Sequence, residues 1–351
     1  MPQDNMYMQK KMLAAIEQMP PLRQFLHKTF FKKTVTHTTE TIEMDIRYGR
    51  REIASFVNPL SDAKTVTKRG YKTITTRPAY TKEKMQITPP DTQKKVFGDN
   101  PYVRKSPQQI ADEMLGENLR TLNDRVSRLE EKICAEALFT GKVEVEGLGW
   151  EVDVDFGYET GTEYTSNIRV LSGVDTWDHP DSKPLQDLDN WRRDIRRRSG
   201  YQPDVVVMAW DVGHVFLENP SIQKYLDIRR FEIGHVEPEL LPEGVSYIGK
   251  FKLLSGVVEV YVYDEWYFDS TDKKEKPIVP SGRVLIGSSK AENQFHYGMI
   301  HNMHCLDSVP RWPWVFTDLD GRSTWAQLES SPMANIFEPN TIVVGIVLGQ
   351  A

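Results

Sequence analysis

Cysteine is nearly absent: Cys134 and Cys305 are the only two in 351 residues, and they lie far apart in sequence. That leaves no disulfide framework and points to free thiols in a reducing compartment. No apolar run is long enough to span a bilayer. Asp4, Gln9, Lys10, Lys11 and Glu17 interrupt any stretch that could serve as a secretory signal. Internal repeats and low-complexity tracts are missing as well, so nothing suggests a solenoid or a flexible tether. Neither a nucleophile elbow nor a helical zinc-protease pattern occurs, which removes the commonest hydrolase signatures. What remains is a soluble protein of one or two domains, long enough to bury a substantial core.

Charge is present in quantity but split by position. Residues 1–110 carry 20 Lys and Arg against 10 Asp and Glu, a formal +10, and the rest carries 24 against 40, a formal −16. The overall −6 hides this polarity. A basic front with little core of its own and an acidic, globular back can pair between copies. Head-to-tail contact of that kind builds rings and shells.

Residues 1–39 read as an N-terminal arm. Met8, Met12, Ile16 and Met19 recur at helical spacing until Pro20-Pro21, and Leu22, Phe25, Leu26, Phe30 and Phe31 form an apolar knot in basic surroundings. Residues 40–95 read as extended: Ile42, Met44 and Ile46 alternate with polar residues, Ile53 to Val57 make a second β-type run, and Asn58-Pro59 turns the chain. The stretch from Lys64 to Thr76 is β-branched and basic, with the propensity of a hairpin but too little apolar surface to hold itself on a core. It is expected to project and lie on a neighbour.

The strongest local pattern spans residues 106–139. Ser106 and Gln109 form a capping box, Pro107 suits the first helical position, and Gly141 ends the helix. Leu115, Leu119, Leu122, Val126, Leu129 and Ile133 share one face of this predicted spine, about 50 Å long at roughly 1.5 Å per residue. Alternating β residues follow from Val143 to Phe156, then a helix with Leu185, Leu188, Trp191 and Ile195 on one face. An α/β region has strands at Val205–Met208, Val257–Tyr263 and Val284–Ile286, a helix at Trp210–Glu218 and an inserted hairpin within 264–280. The apolar strand from Thr341 to Leu348 must be covered to avoid aggregation.

Sites of chemistry are weak. Gly244 to Lys250 matches a phosphate loop except at the last position, where Phe251 replaces the magnesium-holding hydroxyl, so a strand is expected. His296, His301, His304 and Cys305 cluster without the spacing of a zinc finger; a metal-dependent enzyme built on the three histidines is one competing reading. Asp318 to Gly321 fails as a calcium loop, because Phe316 and Gln327 fall at its first and last ligand positions. Arg192, Arg193, Arg196, Arg197 and Arg198 are interleaved with Asp187, Asp189 and Asp194, which favours ion pairs over phosphate contact. A nucleic-acid-binding protein using the basic N-terminal third is the other competing reading.

The order of parts resembles the tailed-phage major capsid proteins of the Hong Kong 97 fold, and local residues are most similar to the lambda-type branch, the major capsid protein E family. The similar stretches are Leu26 to Phe31, Phe56 to Pro59, Lys68-Arg69-Gly70 with Pro78-Ala79-Tyr80, and Ile87-Thr88-Pro89. Tyr297 to Ile300, Pro313-Trp314, Ser330 to Met333 and Pro339-Asn340 complete the set. The resemblance implies an α+β fold with an N-terminal arm (1–39), an extended loop (40–100), a peripheral domain carrying the spine (101–184 with a return at 325–351) and an axial domain (185–324). It implies a non-enzymatic subunit, without cofactor or metal, that self-assembles into hexamers and pentamers of an icosahedral shell around double-stranded DNA held without sequence specificity. The expected intersubunit contacts are Lys64, Lys68, Arg69, Lys72, Arg77, Phe30 and Phe31. Expected partners are further copies, a separate scaffold or protease, a portal and a decoration protein, but no membrane. The expected location is the virion, with the host cytoplasm during assembly. No charged helical scaffold precedes the arm and no crosslinking Lys/Asn pair can be matched.

Overall fold

The computed structural model describes residues 12–14, 16, 24–47, 53–54, 56, 58–59, 62–63, 65, 70–93, 106–147, 150–161, 166–228, 244–269, 272–305, 307–318 and 320–349. The spine runs as one helix, Pro107–Thr140. Its start is fastened as expected: the Gln109 amide N–H donates to Ser106 Oγ at 3.2 Å, and the Gln109 side chain accepts from the Ser106 N–H at 3.0 Å. Its end turns at Gly141, where φ is +70° and a side chain would strike Tyr158. Only glycine satisfies both demands.

The two halves of the spine pack differently. Leu119, Leu122 and Val126 are buried with Ile16, Ala326 and Leu328, and Leu115 is half-buried beside them. The second half, with Ile133, Cys134, Ala135, Ala137, Leu138 and Phe139 all below the surface, enters the main core, and Leu129 packs at its margin. The first half lies on a three-stranded antiparallel sheet, in the order Arg311–Thr317, Thr324–Ser330, Thr81–Ile87.

The main core is organised by a mixed six-stranded sheet. Its order is Ile168–Val170, Ile342–Ile346, Arg283–Gly287, Val205–Ala209, Gly256–Tyr263, Val245–Leu253. Val205–Ala209 is buried along its whole length, as a strand inside such a sheet should be. Helix Pro184–Ser199 packs on the sheet through Leu188, Trp191 and Ile195, with Leu185 at its edge. Trp191 lies so close above Gly345 that any side chain there would collide with the indole. The expected helix Trp210–Glu218 and the inserted hairpin Trp266–Asp269/Lys274–Pro277 both form. Gly244 to Lys250 is the start of strand Val245–Leu253, as the missing hydroxyl implied. No helix among the described residues is long and apolar enough to cross a membrane.

Within the arm, helix Phe25–Phe30 is seated in the core, and strand Lys33–Thr36 pairs parallel with Gln294–Tyr297. Two expectations are corrected. Phe30 and Phe31, expected between subunits, are each 1% exposed, because the aromatic knot packs inward against this chain's own sheets; Phe31 lies edge-on to Phe295. The Ile53 to Val57 run is no strand at its described positions; Ile53 and Phe56 stand 93% and 105% exposed. Strand Tyr71–Thr76 pairs with Ile42–Arg47, whose Ile42, Met44 and Ile46 supply a buried face.

The strand pairings join segments that lie far apart in the chain. The terminal strand Ile342–Ile346 lies inside the six-stranded sheet beside Arg283–Gly287, so it joins the same layer as residues 205–287. Hairpin Arg311–Thr317/Thr324–Ser330 sits instead with the spine and with Thr81–Ile87. A sheet edge takes whichever strand completes its buried face, and chain order has no say in it.

Candidate assembly surface

Inside the molecule, two adjacent carboxylates of the spine fasten the N-terminal segment. Glu131 accepts the amide N–H of Leu26 at 2.6 Å and of His27 at 3.1 Å, the first donors of helix Phe25–Phe30, and the Tyr263 hydroxyl at 3.1 Å. Those N–H groups have no partner within their own helix, so a carboxylate is a suitable acceptor. Burial pushes the Glu131 carboxyl up to about 7, against the pull of these donors. Glu130 accepts from Gln24 Nε2 at 2.7 Å and the Tyr297 hydroxyl at 2.9 Å, and pairs with Arg311 at 2.5 Å. Helix Phe25–Phe30, the spine, strands Gly256–Tyr263 and Gln294–Tyr297, and the Arg311 hairpin therefore meet on two side chains. The sequence reading missed this site; Glu130-Glu131 standing between Leu129 and Ile133 was its one visible trace.

The histidine group is dispersed among different partners. His296 Nδ1 lies 2.7 Å from His37 Nε2, with the rings stacked at 5.0 Å and 10°. His301 meets Tyr80 edge-on at 5.3 Å, and His304 stacks on Trp314 at 4.4 Å. Among the described residues no three His, Cys, Asp or Glu side chains are placed to share a metal ion. Asp318 to Gly321 makes the turn of the Arg311–Thr317/Thr324–Ser330 hairpin, where the Asp318 carboxylate accepts from Ser323 and from Trp325 Nε1. The acids between the arginines of helix Pro184–Ser199 are used locally: Asp194 pairs with Arg169 at 2.9 Å, and Asp189 accepts from the Ser255 hydroxyl at 2.6 Å.

The histidine pair makes the docking of strand Lys33–Thr36 sensitive to acid. Burial first, then His37 and Lys33, lower His296 to about 4, and burial lowers His37 too. One shared proton suits a 2.7 Å contact; two cationic rings there would repel. A base kept neutral in the folded state contributes fully above its unfolded pKa near 6.5 and loses that contribution as pH falls toward 4. The loss amounts to about 3 kcal/mol if the whole shift is realised. Glu131 works in the opposite sense, since its raised carboxyl favours the folded state as pH falls from 7 toward 4.5. A difference between two variants therefore isolates the histidine. Melting temperature between pH 7 and 4 should fall more steeply for the wild type than for His296→Leu, and parallel curves would assign the acid loss elsewhere.

Outward, the expected contact residues divide. Lys64, Lys68 and Arg69 lie outside the described residues. Lys72 is exposed on strand Tyr71–Thr76, and Thr73 donates to Asp45 across that hairpin at 2.7 Å. Arg77, its side chain 59% exposed, lies 3.5 Å from Glu40. Ile53, Phe56 and Tyr71 are large apolar side chains exposed to solvent.

Known proteins are similar to this chain along nearly its whole length. The major capsid proteins of Escherichia phage lambda and Escherichia phage N15 are each 24% identical over 348 residues, covering 97% of this chain and 98% of theirs. The major capsid protein of Enterobacteria phage P21 is 25% identical over 345 residues, covering 95% of this chain and 97% of its own. Among solved structures, one assigned as a capsid protein of a prophage from Escherichia coli CFT073 superposes with a TM-score of 0.73 at 18% identity, over 97% of this chain and 99% of that one. A phage-related protein from Bordetella bronchiseptica gives 0.57 at 10%, over 96% and 97%. The family model described as phage major capsid protein E matches residues 9–347, and the chain belongs to that family.

Proposed function

We propose that the chain builds a phage head: a shell of hexamers and pentamers around double-stranded DNA, in the virion after assembly in the host cytoplasm. The observation that carries this is the exposure of Ile53 and Phe56, which lie in the sequence between strands Ile42–Arg47 and Tyr71–Thr76: both are almost wholly exposed, as befits a surface meant for a neighbour. Lys64, Lys68, Arg69 and Lys72 follow in the same stretch of sequence, opposite in sign to the acidic remainder of the chain. In this reading the spine with its three-stranded sheet is the peripheral part, and the six-stranded sheet is the axial part that meets its copies around the symmetry axes. Scaffold, protease, portal and decoration proteins act as separate chains, and the DNA is held without sequence preference.

The test is assembly. Protein expressed with the products of neighbouring genes should give curved shells under the electron microscope and hexamer- or pentamer-sized species by sedimentation. Compact monomers at every concentration, with scaffold supplied, would overturn the proposal.

A further inference from the structure

A groove of about 740 Å³ runs between the spine and the inserted hairpin Trp266–Asp269/Lys274–Pro277. The spine side supplies Arg125, Arg128 and Lys132, and the hairpin side Trp266 and Phe268, which are 54% and 62% exposed. Leu129 and Val126 line it as well. Its two carboxylates are already engaged: Glu83 with Arg125 at 2.6 Å and Asp269 with Lys276 at 2.7 Å. Arg128 is exposed and has no ion pair among the described residues. The groove therefore favours a short segment with an apolar tip and negative flanks.

This chain carries such a segment. Directly after the edge strand Ile168–Val170, a single turn of helix, Gly173–Asp175, raises Val174 to 64% exposure. Asp175 and Asp178 are exposed on its flank, and the Asp181 side chain is 89% exposed. The turn is held in shape from below. Trp177 is 1% exposed, stacks on Trp191 at 6.0 Å, and donates its indole N–H to Asp187 at 3.0 Å. The Thr176 hydroxyl closes the turn on the Gly173 carbonyl at 2.7 Å. A preformed turn loses little conformational freedom on docking. None of its residues lines the groove of its own chain.

We propose that the Gly173–Asp181 turn of one copy docks in the spine–hairpin groove of a second copy, Val174 against Trp266 and Phe268, and Asp175 and Asp178 against Arg128, since Lys132 is already paired with Glu136 at 3.4 Å. The contact rests on the shell reading above and adds to it a second charge-matched junction, separate from the basic stretch. Its two surfaces differ, so it is heterologous and suits rings.

A charge swap tests it. Arg128→Glu alone, or Asp175→Lys with Asp178→Lys, should each weaken copy–copy association about tenfold or more and yield few closed shells, because like charges then face each other. All three changes in one chain should recover most of the association. Singly changed proteins that assemble like the wild type overturn the proposal, and so does a triple variant as poor as either parent. Failure of the groove variant alone would assign the groove to another protein and equally overturn it. A second measurement does not depend on disruption. Val174→Cys combined with Phe268→Cys should give disulfide-linked ladders on oxidation of assembled protein, and their absence counts against the contact. If wild-type protein forms no capsomers under the same conditions, the shell reading falls and this one with it.

Discussion

Val126→Asp should abolish accumulation of folded subunit, while Arg128→Gln, two positions along the same helix, should leave it nearly untouched. Val126 is 3% exposed, and its cluster consists of Ile16, Leu119, Leu122, Ala326 and Leu328, with no cation among them. Removing the valine forfeits roughly 1.5–3 kcal/mol of apolar burial. Placing a carboxylate there adds a penalty of several kcal/mol, whether it stays charged or is held protonated. A domain's whole stability is only about 5–15 kcal/mol. Arg128 points to solvent, and its loss should shift stability by no more than about 1 kcal/mol. Soluble yield and melting temperature measure both variants. Equal behaviour would mean that the spine does not rest on the Thr81–Ile87/Thr324–Ser330 sheet as described.

The second large effect concerns the shell and spares the monomer. Reversing Lys68 and Arg69 to Glu should stop shell closure with little change in melting temperature. Each exposed charge contact is individually weak, about 0.2–1 kcal/mol. A closed shell repeats it at every subunit, so small losses accumulate across the assembly. High salt should act on the wild type in the same direction, because exposed charges are screened within about 8–10 Å at moderate ionic strength. A loop that touched DNA instead would give closed, normal-looking shells that package poorly. Closed shells from the double variant would remove the intersubunit role, and a large fall in monomer stability would place the loop in the core.

The two halves of the spine differ in what they hold. Its first half lies over a thin sheet and a small apolar cluster, so one buried charge is enough to undo it. Its second half is surrounded by the main core and carries the Glu130 and Glu131 ties to the N-terminal helix. Cutting those ties would leave the first N–H donors of helix Phe25–Phe30 without their acceptors, while Leu26, Phe30 and Phe31 still seat the segment in the core. His37 and His296 meet at the other end of the same segment.

The sequence by itself determined what depends on neighbours in the chain. The limits of the spine follow from Ser106, Pro107, Gln109 and Gly141, because capping and the left-handed turn are local requirements. The 266–277 hairpin, the buried strand Val205–Ala209 and the apolar stripe of helix Pro184–Ser199 were legible for the same reason: each has its own period. The order of short motifs was enough to suggest the family. Tertiary structure alone decided the rest. Phe30 and Phe31, expected between subunits, are both buried in this chain's own core, Phe31 against Phe295, 264 residues further along. Little along the chain marks Glu130 and Glu131 as buried, because the donors that make their burial tolerable come from Gln24, Leu26, His27, Tyr263, Tyr297 and Arg311. Strand Ile342–Ile346 announced that it must be covered and could not say by what. Pairing across a sheet leaves no period along the chain, so the partner of a strand, a buried carboxylate or a stacked histidine exists only once distant segments have met.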